Sequence, residues 1–121
     1  QMKLQYAGAH RPLFMIRNNE LTETKATKVA VGGFTPDNQE FALNNLDLQK
    51  GDCYYMTSDG YPDQFGGPEK LKIGPKRIRK ILEANADKSL SENVEFLTTT
   101  FNEWMGDGKQ MDDVLLIGVE F

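Results

Sequence analysis

In GDCYYMTSDGYPDQFGG (residues 51–67) an apolar run ends abruptly in a carboxylate and a cluster of turn-forming residues. Gly51-Asp52 turns the chain into CYYMTS (residues 53–58), whose aromatic and apolar content predicts a buried central strand. Asp59 stands where that strand stops, with a rigid backbone behind it and solvent ahead. Gly60 permits a sharp turn and the close approach of a ligand. At the other end of the sequence Asp112-Asp113 immediately precede a mostly apolar run that closes on Phe121. If the two strands are antiparallel neighbours, the end of one lies beside the start of the other, and Asp59 and Asp112 meet on one rim. Carboxylate oxygens on rigid supports suit a hard divalent cation such as Mg²⁺ or Mn²⁺. An ordinary Asp-Gly turn, with two solvating aspartates ahead of a strand, satisfies the same pattern.

Other chemistries fit less well. Counted as an EF-hand from Asp59, the stretch puts Gln64 where glycine is required and Lys70 where glutamate is required. His10, the single histidine, stands beside Arg11-Pro12 without a histidine or cysteine companion, which argues against zinc. Ser58 has no histidine base nearby in sequence to activate it.

Outward from this stretch, the first half reads as strands. Residues 2–8 alternate, and Leu13–Arg17 resume after Pro12. Asn18-Asn19 is a two-residue hairpin turn, because asparagine tolerates positive φ, and a second arm starts at Glu20-Leu21. Residues 31–38 (VGGFTPDN) are loop chemistry. Residues 39–48 carry a strand pattern with one slip in the period of two, as a bulge would give. The second half changes period. Pro75 opens a helix whose inward positions are Ile78, Ile81 and Leu82. Ser89 and Glu92 have the capping-box order, and Leu90, Val94, Leu97, Phe101 and Trp104 follow as an apolar stripe that reads as core. Gly106 can end that helix in a left-handed conformation, and Asp113–Phe121 form the closing strand. Strands, two helices and a strand make an α+β chain with antiparallel strands and two flanking helices.

Composition bounds the rest. The 121 residues suit one domain, and a net charge of −4 offers no basic field for nucleic acid or anionic lipid. The basic run Lys76–Lys80 (KRIRK), interleaved with Ile78, reads as the wet side of a helix. Cys53, the single cysteine, excludes an intrachain disulfide, fits a reducing, cytoplasmic setting, and reads as a buried structural thiol. No run approaches the ~20 apolar residues of a membrane span. An alternating pattern from the second residue suggests a segment of something longer, and the parent could be membrane-tethered.

The segments YAGAHRPLFMIRNNEL, GDCYYMTSDGYPDQFGG and QMDDVLLIGVEF, in that order, resemble the carboxyl-terminal part of the bacterial metal-dependent (PPM) protein serine/threonine phosphatases. More narrowly, they are similar to the sporulation stage II protein E-like (SpoIIE-like) branch of the PP2C superfamily, found in signalling proteins. The resemblance spans residues 1–121. It implies part of a β-sandwich with flanking helices and, in the complete domain, two Mn²⁺ or Mg²⁺ ions that activate water against phosphoserine or phosphothreonine. By the same resemblance Asp59 and Asp112 are metal ligands, while Asp113 and Gly60 lie in or just behind the metal shell. Relatives often read Ala-Gly-His near the start. This chain reads AGAH, so His10 receives no catalytic role. The family's upstream aspartate-glycine segment has no counterpart: Asp37 and Asp107 lack its strand context. The implied expectation is a chain inactive alone whose parent hydrolyses phosphoproteins. Sheet left without its counterpart should also drive self-association. A non-enzymatic interaction module or a pseudophosphatase scaffold is the alternative.

Overall fold

The computed structural model describes residues 3–6, 12–24 and 44–121, with side-chain surroundings for 12–24 and 48–121. The expected loop at 31–38, the beginning of the slipped strand, His10 and Asp37 lie outside the described residues. Four strands form an antiparallel sheet in the order β3-β2-β5-β8: β2 is Leu13–Arg17, β3 Glu20–Thr24, β5 Cys53–Thr57 and β8 Leu116–Glu120. The β2–β3 hairpin turns through Asn18 and Asn19 at φ 52° and 63°. Two positive φ values in a two-residue loop match the twist of the flanking strands. The strand expected to be central is indeed flanked on both sides, pairing with β2 through Phe14↔Tyr55 and with β8 through Tyr55↔Gly118. Separately, β1 (Lys3–Tyr6) pairs antiparallel with β4 (Asn44–Asp47).

Alternation divides the four-stranded sheet into two faces. Phe14, Ile16, Cys53 and Tyr55 point to one side and are buried with Ile78, Leu82, Leu97 and Phe101 of the helices. Leu13 and Tyr54 point to the other, beside Met15, Leu48 and Met56. Helix α1 (Pro75–Ala84) starts with proline in its first turn and buries Ile78 and Leu82, leaving its basic residues exposed. Helix α2 (Leu90–Met105) starts at the expected box: Ser89 accepts from the Glu92 N–H, and the Glu92 side chain reaches back to Ser89. It lies close over β8, where a Cβ on Gly118 would stand 3.0 Å from Val94 and 3.1 Å from Leu90. Arg77 of α1 stacks on Trp104 of α2, 4.2 Å from the ring centre. Among the described residues no helix is long and apolar enough to cross a membrane.

Three features depart from the sequence reading. A small hairpin, β6 (Phe65–Gly66) with β7 (Leu71–Lys72), occupies a stretch whose glycines suggest only a turn. It is anchored on α2, since Gly67 donates to the Trp104 carbonyl at 2.9 Å and Trp104 Nε1 donates to the Leu71 carbonyl at 2.9 Å. Gly106 ends α2 at φ 54°, ψ −127°, a glycine-only region rather than the left-handed helical one. The last strand begins at Leu116 rather than at Asp113, because a side chain takes over the hydrogen bonds of the residues before it.

Candidate functional site

That side chain is Ser58, the first residue beyond β5. Its N–H donates to the Leu115 carbonyl at 2.9 Å, prolonging the β5–β8 ladder by one bond. Its hydroxyl accepts from the Leu115 N–H at 2.8 Å and donates to the Asp113 carbonyl at 3.3 Å. Side-chain bonds of this kind compete with the regular ladder, so residues 113–115 follow Ser58 instead of pairing as a strand.

The register Thr57↔Leu116, continued by three residues, sets Gly60 opposite Asp113. The two backbones nearly touch there: a Cβ on Gly60 would stand 2.1 Å from the Asp113 carbonyl oxygen. Asp59 therefore leaves the end of β5 beside the segment that carries Asp112 and Asp113, and all three carboxylates are exposed on that rim. The antiparallel neighbourhood on which the sequence argument depended is present. The turn carrying Asp59 is closed by the Asp63 N–H on the Asp59 carbonyl at 3.0 Å and by the Tyr61 N–H on the Ser58 carbonyl at 3.3 Å. Tyr61 is buried and its hydroxyl donates to the Leu97 carbonyl of α2, which ties the turn to the helix layer. Burial pushes its phenol pKa well up.

Asp112 Oδ1 accepts from the Asp113 N–H at 2.7 Å, and the Gln110 side-chain amide donates to the Asp112 carbonyl at 2.9 Å. These contacts fix the local backbone of the loop. The rim thus offers a hard cation what such ions take: carboxylate oxygens, exposed, on backbone braced from behind. The donor chemistry fits Mn²⁺ or Mg²⁺. The donor number is small, because among the described residues no three histidine, cysteine, aspartate or glutamate side chains gather as a metal-binding group. Cys53 takes no part: it is buried on the helix side of the sheet, and desolvation raises its thiol pKa.

Sequence reasoning set Ser58 aside as a nucleophile and did not single out Gln64, which reaches across to the Asp112 loop. A serine beside an aspartate and a lone amide among turn formers carry no periodic signal. Only the strand pairing shows what they touch.

The model of the family Stage II sporulation protein E (SpoIIE) matches the chain over residues 1–121. The chain belongs to the SpoIIE family. Among solved structures this SpoIIE-family chain is similar to the SiaA-PP2C domain of Pseudomonas aeruginosa, at 28% identity and a TM-score of 0.82. That match covers 98% of this chain and 46% of the other. The phosphatase domain of the cell fate determinant SpoIIE from Bacillus subtilis aligns with a TM-score of 0.64 at 15% identity, over 98% of this chain and 57% of that one. At that identity the likeness is one of fold. None of the curated protein sequences matches the chain. The SpoIIE-family chain spans about half the length of the solved domains it resembles, and its α+β arrangement of antiparallel sheet and two helices is theirs.

Proposed function

We propose that this chain supplies one side of the active site of a metal-dependent protein phosphatase acting on phosphoserine or phosphothreonine. The observation that carries the reading is the antiparallel β5–β8 pairing, which brings Asp59 and the Asp112-Asp113 pair to a common rim. Family membership and the likeness to a PP2C domain point the same way. Asp59 and Asp112 would hold the cations, with Asp113 and Gly60 in or just behind the metal shell. When bound, two Mn²⁺ or Mg²⁺ ions supply the acidity that makes water a nucleophile near neutral pH and offset charge on the phosphoryl oxygens. The part played by this chain is geometric. The end of β5 and the segment leading into β8 hold the carboxylates, Gly60 lets the two rims close, and the Ser58 hydroxyl donates to the Asp113 carbonyl.

Two or three carboxylates leave a two-ion site short of ligands, so the remaining donors come from the part of the domain that this chain does not span. On that reading the 121 residues alone turn over phosphopeptide poorly. The test is a phosphopeptide assay with Mn²⁺ on the full-length protein, its Asp59→Asn and Asp112→Asn variants, and the 121-residue chain. Activity in the full-length protein, falling to background in both variants and absent from the isolated chain, is expected. Unchanged turnover in the variants would remove the metal-ligand roles. Robust turnover by the isolated chain would show that it is a complete enzyme.

A further inference from the structure

In the sequence Gln64 serves only to exclude an EF-hand, yet it is among the most deeply buried polar residues described, at 1% exposure. Burying an amide is costly unless its donors and acceptor are satisfied. Here both ends are used, and mostly on a distant part of the chain. Oε1 accepts from the Met111 N–H at 3.2 Å, while Nε2 donates to the Lys109 carbonyl at 2.9 Å and to the carbonyl of Phe65 at 3.0 Å. The backbone of Gln64 is equally fixed: its N–H donates to Tyr61 at 3.3 Å and its carbonyl accepts from Ile73 at 3.0 Å. Gln64 therefore belongs to the same braced turn as Asp59.

The loop it grips has little else to hold it. Residues 106–113 are all exposed, so apolar burial contributes little there. Gln64 holds the loop at 109 and 111, and Ser58 holds it at 113 and 115. Asp112 lies between the two grips, and both grips come from the turn that carries Asp59.

We infer that Gln64 is a positioning residue: its buried amide sets where Asp112 stands relative to Asp59, and so sets the affinity of the rim for a divalent cation. The inference rests on the metal-binding reading proposed above. Its chemistry is that of an outer partner orienting a ligand, whose loss commonly weakens metal binding by about 10–100-fold.

The experiment titrates Mn²⁺ into the full-length protein by calorimetry, comparing wild type with Gln64→Met, Gln64→Glu and Asp59→Asn. Gln64→Met keeps roughly the side-chain volume but removes all three bonds, and Lys109 and Met111 lie in an exposed loop. Mn²⁺ binding is expected to weaken by about 10–100-fold in Gln64→Met. Gln64→Glu, which keeps the acceptor for Met111, is expected to lie between it and wild type. The Mn²⁺ concentration for half-maximal activity should rise by the same factor while kcat at saturating Mn²⁺ returns to near the wild-type value, a split that general destabilisation does not produce. Wild-type Mn²⁺ affinity in a folded Gln64→Met protein, with binding lost in Asp59→Asn, would overturn the role of Gln64 alone. Undiminished binding in Asp59→Asn would overturn the metal site itself. If Gln64→Met fails to fold, Gln64→Glu carries the test, and unchanged affinity there overturns the inference.

Discussion

The α-carbon of Gly60 lies against the carbonyl of Asp113, so closely that an added Cβ would stand 2.1 Å from the oxygen and 3.2 Å from Val114 Cγ2. The constraint is one of space, since the φ of Gly60 is outside the left-handed region. A backbone oxygen cannot swing aside as a flexible side chain could, so any larger residue must part the two rims. Gly60→Ala is therefore expected to cost about 1–3 kcal/mol, as overfilling a close-fitting site does. A urea unfolding midpoint equal to that of wild type would show that the rims separate freely.

How much of this was legible in the sequence depends on the range of the interaction. The Asn18-Asn19 turn, the Ser89–Glu92 box and the stripe from Leu90 to Trp104 are local patterns, and the structure contains all of them. The α+β order was legible in the change of period, whereas the pairing of β5 with β8 stood in the sequence only as a condition, which the structure meets. The β6–β7 hairpin did not show, because two-residue strands have no period and its anchor is Trp104, more than thirty residues away. The late start of β8 was hidden for a related reason: Ser58 takes hydrogen bonds that sequence alone would assign to strand backbone. Asn93 is wholly buried at a position that polarity would assign to solvent.

Asn93 gives a second prediction. Its Nδ2 donates to the Tyr55 hydroxyl at 3.2 Å, while Oδ1 has no hydrogen-bond partner among the described residues. Burial raises the Tyr55 phenol pKa to about 12. Tyr55→Phe leaves the asparagine amide wholly unpaired and should destabilise by about 1–3 kcal/mol. Replacing both residues, Tyr55→Phe with Asn93→Leu, removes the unsatisfied groups together. The double variant should then be more stable than the sum of the two single changes predicts, read as a double-mutant cycle of urea unfolding. Simple additivity would show that the pair is not coupled.

The sheet face away from the helices carries a third. Leu13, Tyr54, Met56, Ile117, Val119 and Phe121 line a shallow apolar cleft there. Ile117 and Val119 remain 43% and 42% exposed, and Tyr54 meets Phe121 edge to face at 5.6 Å. Contiguous apolar surface of this kind associates, and in the isolated 121-residue chain a second copy is the available cover. Light scattering of that chain should give a mass above the monomer that rises with concentration, and Val119→Lys should lower it. A strict monomer at all concentrations would refute the expectation.

The last prediction concerns pH. Arg17 grips Asp52 in a fork, Nε to Oδ1 at 2.9 Å and Nη2 to Oδ2 at 2.6 Å, and so ties β2 to the start of β5. The Gln49 N–H at 2.9 Å and the Tyr54 hydroxyl at 3.4 Å also donate to Oδ2. Asp52 is only 1% exposed, and burial alone would raise its pKa. The guanidinium outweighs that and holds the carboxyl below the usual carboxylate range. With the folded pKa below the unfolded one, this contribution is fully present above the unfolded value of about 3.9 and is lost as pH falls through the folded value. Arg17→Met leaves a buried carboxylate without its cation and should lower stability near neutral pH. That cost should shrink as acid protonates Asp52 in the variant, so the unfolding midpoints of wild type and Arg17→Met draw together as pH falls through and below the usual carboxylate range. A gap that stays constant over the whole range would mean that Asp52 does not depend on Arg17 for its charge.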